Sequence, residues 1–149
     1  MLEDGFYKSI DDLPGMLEGF TFPWMNPCDI YTPPKWVQDT IWYQIFPDRF
    51  CRVLSQDEIN AKKLPEWHED KPVKKEIIYG GNLAGIISRL DYLKELGISG
   101  IYLNPVNQSS TSHKYDTVDY LEIDSFLGDK ETMKQLVSEA HKRGIRIML

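Results

Sequence analysis

The sequence predicts an α/β fold whose strands run parallel. Two segments share one order, an amphipathic helix, a glycine and then a short apolar strand. The first spans residues 83–103, with Gly97 after its helix, and the second spans residues 133–149, with Gly144 in the same place. A third apolar run, residues 40–46, supplies a strand before both. Helices that alternate with strands place the strands parallel in one sheet and cover its faces.

Composition narrows the class of protein. The 149 residues are 42% hydrophobic and 12% aromatic, which is enough for a packed core. Binding a nucleic acid normally requires a basic protein face, so the net charge of −6 argues against a nucleic-acid partner. No apolar run of about 18 residues is present, so no membrane span is expected. The N-terminus lacks a signal-peptide pattern, and Cys28 and Cys51 are expected to be free thiols rather than a disulfide. These features indicate a cytoplasmic protein.

The chain divides into a short lead-in and a main domain. Residues 1–36 are interrupted by prolines and glycines but carry many aromatic side chains, which a flexible linker rarely does. We expect them to be the lead-in or linker from a missing N-terminal domain. Residues 37–149 then form the α/β part. Within it, residues 51–79 are a long, charge-rich excursion, and such a connection is either functional or poorly ordered.

The first strand is rich in β-branched and aromatic residues and ends at Pro47. Because its apolar residues do not alternate with polar ones, we expect both faces to be covered. Asp48 and Arg49 follow directly, and structural polar contacts at the rim are favoured for them over catalysis. In the excursion, residues 56–63 predict a short helix, and His68 is interpreted as a solvated surface side chain.

Both helices carry start and stop signals. Residues 80–82 supply a turn, with Asn82 as a candidate cap for the helix that follows. Residues 128–129, Gly-Asp, open the second helix, and Gly97 and Gly144 close the two helices. The apolar stripes that predict these helices are Leu83, Ile86, Ile87, Leu90, Leu93 and Leu96 in the first, and Met133, Leu136, Val137 and Ala140 in the second.

The candidate site follows the second strand. Residues 104–105, Asn-Pro, end that strand, and a polar segment then leads to His113, Tyr115 and Asp116. Ligands of parallel α/β folds bind at the carboxyl ends of the strands. A ring face beside a donor and an acceptor suits a sugar, which is apolar on one side and ringed by hydroxyls. For a Tyr-Asp pair in a loop the residues alone favour local turn chemistry, and sugar binding stays open beside it.

No common catalytic motif is present. The sequence has no G-x-x-x-x-G-K phosphate loop, no G-x-G-x-x-G before a helix, no G-x-S-x-G elbow and no H-E-x-x-H. A small complete α/β domain of another class, such as a nucleotide-binding domain, therefore fits the sequence poorly.

Several blocks together resemble the alpha-amylase family, glycoside hydrolase family 13. Residues 40–50 resemble its first barrel strand, and residues 80–98 resemble its first helix and second strand. The sequence H-K-Y-D-T at residues 113–117, with residues 119–120 and 126–129, resembles its next segment. The resemblance runs in unbroken order over roughly residues 36–149, and it is strongest to neopullulanases, cyclomaltodextrinases and maltogenic amylases.

The resemblance implies a partial (β/α)8 TIM barrel, comprising the first three strands and their helices, behind a β-sandwich domain. It implies a parent enzyme that hydrolyses maltodextrin, cyclodextrin or pullulan with retention, through two carboxylates about 5 Å apart. In the family the nucleophile, the acid/base and a third carboxylate follow the fourth, fifth and seventh strands, so no catalytic residue is assigned here. We expect the isolated chain to be an inactive N-terminal part. The resemblance also allows a homodimeric parent. The alternative is a non-catalytic carbohydrate-binding or partner protein on an amylase-like barrel.

The resemblance gives roles to the three candidate residues. Tyr115 matches the tyrosine that stacks under the sugar beside the scissile bond, and His113 and Asp116 match neighbours that hold that pocket. Many relatives bind calcium through Asn and Asp residues after an Arg-Phe pair and through Gly-Gly-Asp. Here the sequence C-R-V-L at residues 51–54 and Asn82 occupy those positions. The calcium site is therefore expected to be absent or weak, and no cofactor is predicted.

Overall fold

A computed structural model of the chain describes residues 30–65 and 77–149, together with Asn26, Cys28 and Lys74. Most of the lead-in, His68 and the middle of the excursion lie outside the described residues. The chain divides into two units between Lys35 and Trp36, and the elements below belong to the second unit apart from Lys35 itself.

The described elements, in chain order, are α1 (Lys35–Gln38), β1 (Trp42–Ile45), α2 (Pro47–Phe50), α3 (Gln56–Ala61), α4 (Leu83–Ser88), α5 (Leu90–Glu95), β2 (Gly100–Leu103), β3 (Asn107–Gln108), β4 (Asp119–Ile123), α6 (Lys130–Lys142) and β5 (Arg146–Met148).

Three strands form the parallel sheet, in the order β1-β2-β5. Trp42 pairs with Gly100 at the start of β1 and β2, and Gly100 pairs with Arg146 of β5. All three strands therefore leave the sheet at the same carboxyl edge. This arrangement confirms the predicted class, in which each helix returns the chain to a strand parallel to the one before.

The hydrophobic core lies between this sheet and the helices that follow β1 and β2. Fully buried side chains come from the strands and from one face of each helix. Each stripe buries apolar area that the unfolded chain would expose to water, which is the main force holding the layers together. The core residues that carry this packing are Ile45, Leu83, Ile86, Leu90, Leu93, Ile101, Leu103, Leu136, Ala140 and Ile145.

Both long helical segments begin with a side-chain cap, and the one at Asn82 was predicted. The Asn82 side chain accepts a hydrogen bond from the Gly85 N–H at 2.8 Å, and the Asp129 side chain accepts one from Thr132 N–H at 2.7 Å. The predicted helix in the excursion is α3, which begins with a capping box between Ser55 and Glu58.

The predicted helix over 83–96 is instead two helices, with a break at Arg89. The Ser88 hydroxyl donates to the Gly85 carbonyl at 2.7 Å, and the Arg89 N–H bonds to the Ile86 carbonyl rather than to that of Gly85. A serine that competes in this way for a carbonyl bends a helix. Leu96, which the stripe predicted in the core, is exposed beyond the end of α5.

The polar segment after β2 is not only a loop. Its first residues form β3, which pairs antiparallel with β4. The sequence prediction missed this ribbon because Asp119–Ile123 mixes charged and apolar residues without alternation. No helix in the described ranges is long and apolar enough to cross a membrane. No disulfide joins Cys28 to Cys51.

Candidate functional site

A cleft of about 200 Å³ opens where β2 and β5 end. Leu103 closes β2 and Leu149 follows β5, so the cleft lies at the carboxyl edge of the sheet. Three tyrosines, Tyr102, Tyr115 and Tyr120, line it together with apolar side chains and the polar side chains of Asn107 and Thr117. Aromatic faces and hydroxyls that converge on an apolar floor are typical of small-molecule sites.

Of the three predicted site residues, only Tyr115 lines this cleft. Its side chain is 64% exposed, so one ring face is accessible to a ligand. The His113 ring lies beside it, with 5.9 Å between ring centroids. The Tyr115 N–H donates to His113 Nδ1 at 3.1 Å, so this nitrogen is the acceptor and Nε2 carries the proton in the neutral ring. His113 therefore supports the backbone that presents Tyr115.

Asp116 is held by hydroxyl groups at the start of its own loop. Its carboxylate accepts hydrogen bonds from Ser109 Oγ at 2.5 Å, from Ser110 Oγ at 3.0 Å and from Thr111 Oγ1. The bonds from Ser109 and Thr111 are the main reason that the pKa of Asp116 is well below its ordinary value of 3.8. Asp116 is thus an ionised anchor that closes the loop, and its part in substrate binding stays a prediction.

The sequence prediction missed the ion pair beneath this loop. Lys114 Nζ lies 2.8 Å from Asp124 Oδ2, and both side chains are almost completely buried. Lys114 has φ of +63°, an uncommon conformation for a residue other than glycine. Asp124 also accepts hydrogen bonds from the N–H groups of Ser109 and Phe126. A lysine between His113 and Tyr115 has no periodic signal that would indicate burial.

Asp48 and Arg49 make structural contacts, as the sequence analysis favoured. The buried Asp48 carboxylate accepts hydrogen bonds from the N–H groups of Tyr79 and Gly80, at 3.0 and 2.9 Å. Arg49 Nε lies 2.9 Å from Asp48 Oδ2, and Arg49 Nη2 donates to the Ile77 carbonyl at 2.9 Å. The pair therefore attaches the end of the excursion to the end of β1.

Asn82, at one of the positions expected to weaken a calcium site, makes hydrogen bonds that stabilise the fold. Besides capping α4, Asn82 donates from Nδ2 to the Val53 carbonyl at 3.0 Å. Within residues 30–65 and 77–149, no group of three or more His, Cys, Asp or Glu side chains is placed to hold a metal ion. The weakness of calcium binding remains a prediction.

The hydrogen bonds to Asp116 lead to a testable prediction about the pKa of its carboxyl group. Because its pKa is lowered in the folded loop, Asp116 stabilises that loop above pH 3.8, and the contribution is lost as pH falls through the folded-state pKa. We expect Ser109→Ala to raise the pKa of Asp116 toward 3.8 by more than Ser110→Ala does, since Ser109 is the larger cause. A carbon-13 NMR titration of the Asp116 carboxyl group measures both. Equal values in the two variants would contradict the assignment.

Parallel helix–strand units, with a tyrosine-lined cleft at the carboxyl edge of the strands, are the arrangement of the first part of a (β/α)8 barrel. An alpha-amylase catalytic-domain family model matches residues 44–149, and the chain belongs to the alpha-amylase family.

Similar proteins agree on this family. The maltogenic alpha-amylase of Bacillus acidopullulyticus is 46% identical over 149 residues, which is 99% of this chain and 24% of that protein. The intracellular maltogenic amylase of Bacillus subtilis is 44% identical over 130 residues, which is 87% of this chain and 22% of that protein. A solved structure of the cyclic alpha-maltosyl-(1→6)-maltose hydrolase from Arthrobacter globiformis, in complex with cyclic alpha-maltosyl-(1→6)-maltose, has a TM-score of 0.72 at 38% identity, covering 80% of this chain and 26% of that one. The chain thus spans about a quarter of the length of the proteins it matches.

Proposed function

We propose that this chain contributes the first part of the catalytic barrel of an alpha-glucan hydrolase. The observation that carries the proposal is the exposed ring of Tyr115 in the tyrosine-lined cleft of an alpha-amylase-family domain. In this proposal Tyr115 stacks on a glucose ring, while His113 and Asp116 hold the loop that presents it. The substrates are maltodextrin, cyclodextrin or pullulan, cleaved with retention by carboxylates outside these 149 residues. The calcium site stays absent or weak.

The wider organisation follows the same proposal. Residues 1–36 are the passage from an N-terminal domain, and residues 37–149 are the start of the barrel with an excursion at 51–79. The division of the chain between Lys35 and Trp36 supports that boundary. A cytoplasmic location is supported by the similarity to the intracellular enzyme of Bacillus subtilis. Assembly of the parent as a homodimer remains part of the proposal.

The test uses a chimera, because a barrel of this class needs about 250 residues. These 149 residues replace the aligned segment of the Bacillus acidopullulyticus maltogenic alpha-amylase, which is 46% identical over that length. We expect the chimera to release reducing sugar from maltotriose and cyclodextrin. Tyr115→Ala should lower kcat/KM at least tenfold, roughly 1.4 kcal/mol of transition-state binding. Tyr92→Ala, at an exposed tyrosine of α5, is the matched control and should leave kcat/KM unchanged.

The isolated 149-residue chain should release no reducing sugar from the same substrates, because it carries none of the carboxylates that the mechanism needs. Hydrolysis by the pure isolated chain would contradict this assignment. A folded chimera that binds cyclodextrin without cleaving it would instead favour the non-catalytic carbohydrate-binding alternative.

A further inference from the structure

We propose that the buried Lys114–Asp124 ion pair is a positioning device for glucan recognition. The pair sets the direction of the Tyr115 ring without touching the sugar. The inference rests on the proposed function of Tyr115 and adds two residues to it. Lys114 is 2% exposed, whereas His113 and Tyr115 on either side of it are exposed. The backbone at Lys114 therefore sends one side chain inward and its neighbours outward.

The backbone conformation at Lys114 shows why an inward anchor is needed. A φ of +63° is unfavourable for a side chain with a Cβ, and such a residue persists only where its surroundings hold it. The Lys114 N–H donates to Thr111 Oγ1 at 3.3 Å and its carbonyl accepts from Thr117 Oγ1 at 3.0 Å. The 2.8 Å contact of Lys114 Nζ with Asp124 Oδ2 holds the side chain inward. Without the ionic contact, only those two hydroxyl bonds would oppose relaxation of the peptide that precedes Tyr115 to ordinary backbone angles, and the tyrosine ring would turn with it.

The pair also holds the other end of the loop. The Ser109 N–H donates to Asp124 Oδ2 at 3.2 Å, and Lys114 Nζ donates to the Ser109 carbonyl at 3.4 Å. Both backbone groups of Ser109 are thus fixed by the two buried charges. The Ser109 hydroxyl in turn donates to Asp116 at 2.5 Å, on the far side of Tyr115. The network is continuous from the buried pair to both neighbours of the tyrosine.

Asp124 ties this network to the rigid part of the barrel. Its N–H donates to the Val106 carbonyl at 3.0 Å, and its own carbonyl accepts from the N–H groups of Leu127 and Gly128. The Leu83 N–H at the start of α4 donates to the Leu127 carbonyl at 2.9 Å. Asp124, which anchors the loop, therefore lies in the turn that precedes α6 and contacts the start of α4.

The test removes the pair without leaving a lone buried charge. The variant K114M/D124N keeps the lysine stem and one acceptor oxygen, and it is made in the chimera with and without Tyr115→Ala. We expect it to lower kcat/KM on maltotriose about tenfold where Tyr115 is present and less than twofold in the Y115A background. Such non-additivity is the signature of residues that act through one another. The matched control K130M/E122Q, which removes an exposed pair of nearly the same length, 2.7 Å, should change kcat/KM in neither background.

Each outcome decides the question. An equal loss in both backgrounds, or no loss in either, overturns the positioning role while the proposed stacking by Tyr115 stands. If the single variant Y115A keeps the kcat/KM of the unmodified chimera, both the proposed stacking and this inference are overturned. Should K114M/D124N fail to fold by circular dichroism, the same cycle is run with Lys114→Arg, which keeps the charge but changes its geometry, and the same criteria apply.

Discussion

Lys114→Met is expected to lower the free energy of unfolding of the chain by about 3–5 kcal/mol, as breaking a buried ion pair does when one charge is left behind. The methionine fills the space of the lysine stem, so the loss is electrostatic rather than a cavity. The Asp124 carboxylate, almost fully buried, would keep only hydrogen bonds from the N–H groups of Ser109 and Phe126. Urea unfolding at pH 7, followed by tryptophan fluorescence, measures the change.

Two comparisons isolate the cause. Lys130→Met removes a pair of nearly the same length, Lys130 Nζ to Glu122 Oε1 at 2.7 Å, but both of its side chains are more than half exposed. We expect a loss below about 1 kcal/mol there, because water screens the exposed charges. K114M/D124N should recover at least half of the K114M loss, since no unpaired charge remains. Equal losses in Lys114→Met and Lys130→Met would contradict this account.

The parallel sheet and its helices were predictable because their signals are local and repeated. A glycine after each amphipathic stripe and a short apolar run indicated the class, and Asn82 was identified as a candidate cap from its position alone. The break at Arg89 was not predictable, because the stripe continues through it. That break depends on the Ser88 hydroxyl reaching the Gly85 carbonyl, a geometry that the apolar pattern does not record.

The candidate site was predictable only in part, for a similar reason. Tyr115 follows a predicted strand end, and the structure places it in the cleft there. The contacts that hold it join residues whose side chains give no periodic signal, such as Lys114 with Asp124. The β3–β4 ribbon, whose second strand lies between these two residues in sequence, was also missed. Buried charges in loops are recognisable only when both partners are located in space.

Gly85→Ala is expected to destabilise the chain, although helix propensity alone predicts the opposite. Gly85 lies inside α4, where replacing glycine by alanine usually stabilises a helix by about 1 kcal/mol. A Cβ at this position would lie 2.0 Å from the Cys51 carbonyl oxygen and 2.5 Å from its carbonyl carbon. These are backbone atoms, and the Asn82 N–H donates to the same carbonyl oxygen at 3.0 Å, so they cannot move without breaking that contact. We expect a loss of about 3 kcal/mol, at the upper end of overpacking.

The control for Gly85→Ala is Gly97→Ala, which separates the effect of a steric clash from the effect of the backbone conformation. Gly97 has φ of +87° but no heavy atom within 4 Å of its added Cβ, so only the backbone preference opposes the substitution. We expect a loss of about 1–2 kcal/mol there, again by urea unfolding. A Gly85→Ala variant as stable as the parent would show that α4 can move away from residue 51. Because Gly85 lies where α4 packs against the end of α2, that result would also remove the reason for a glycine at this contact.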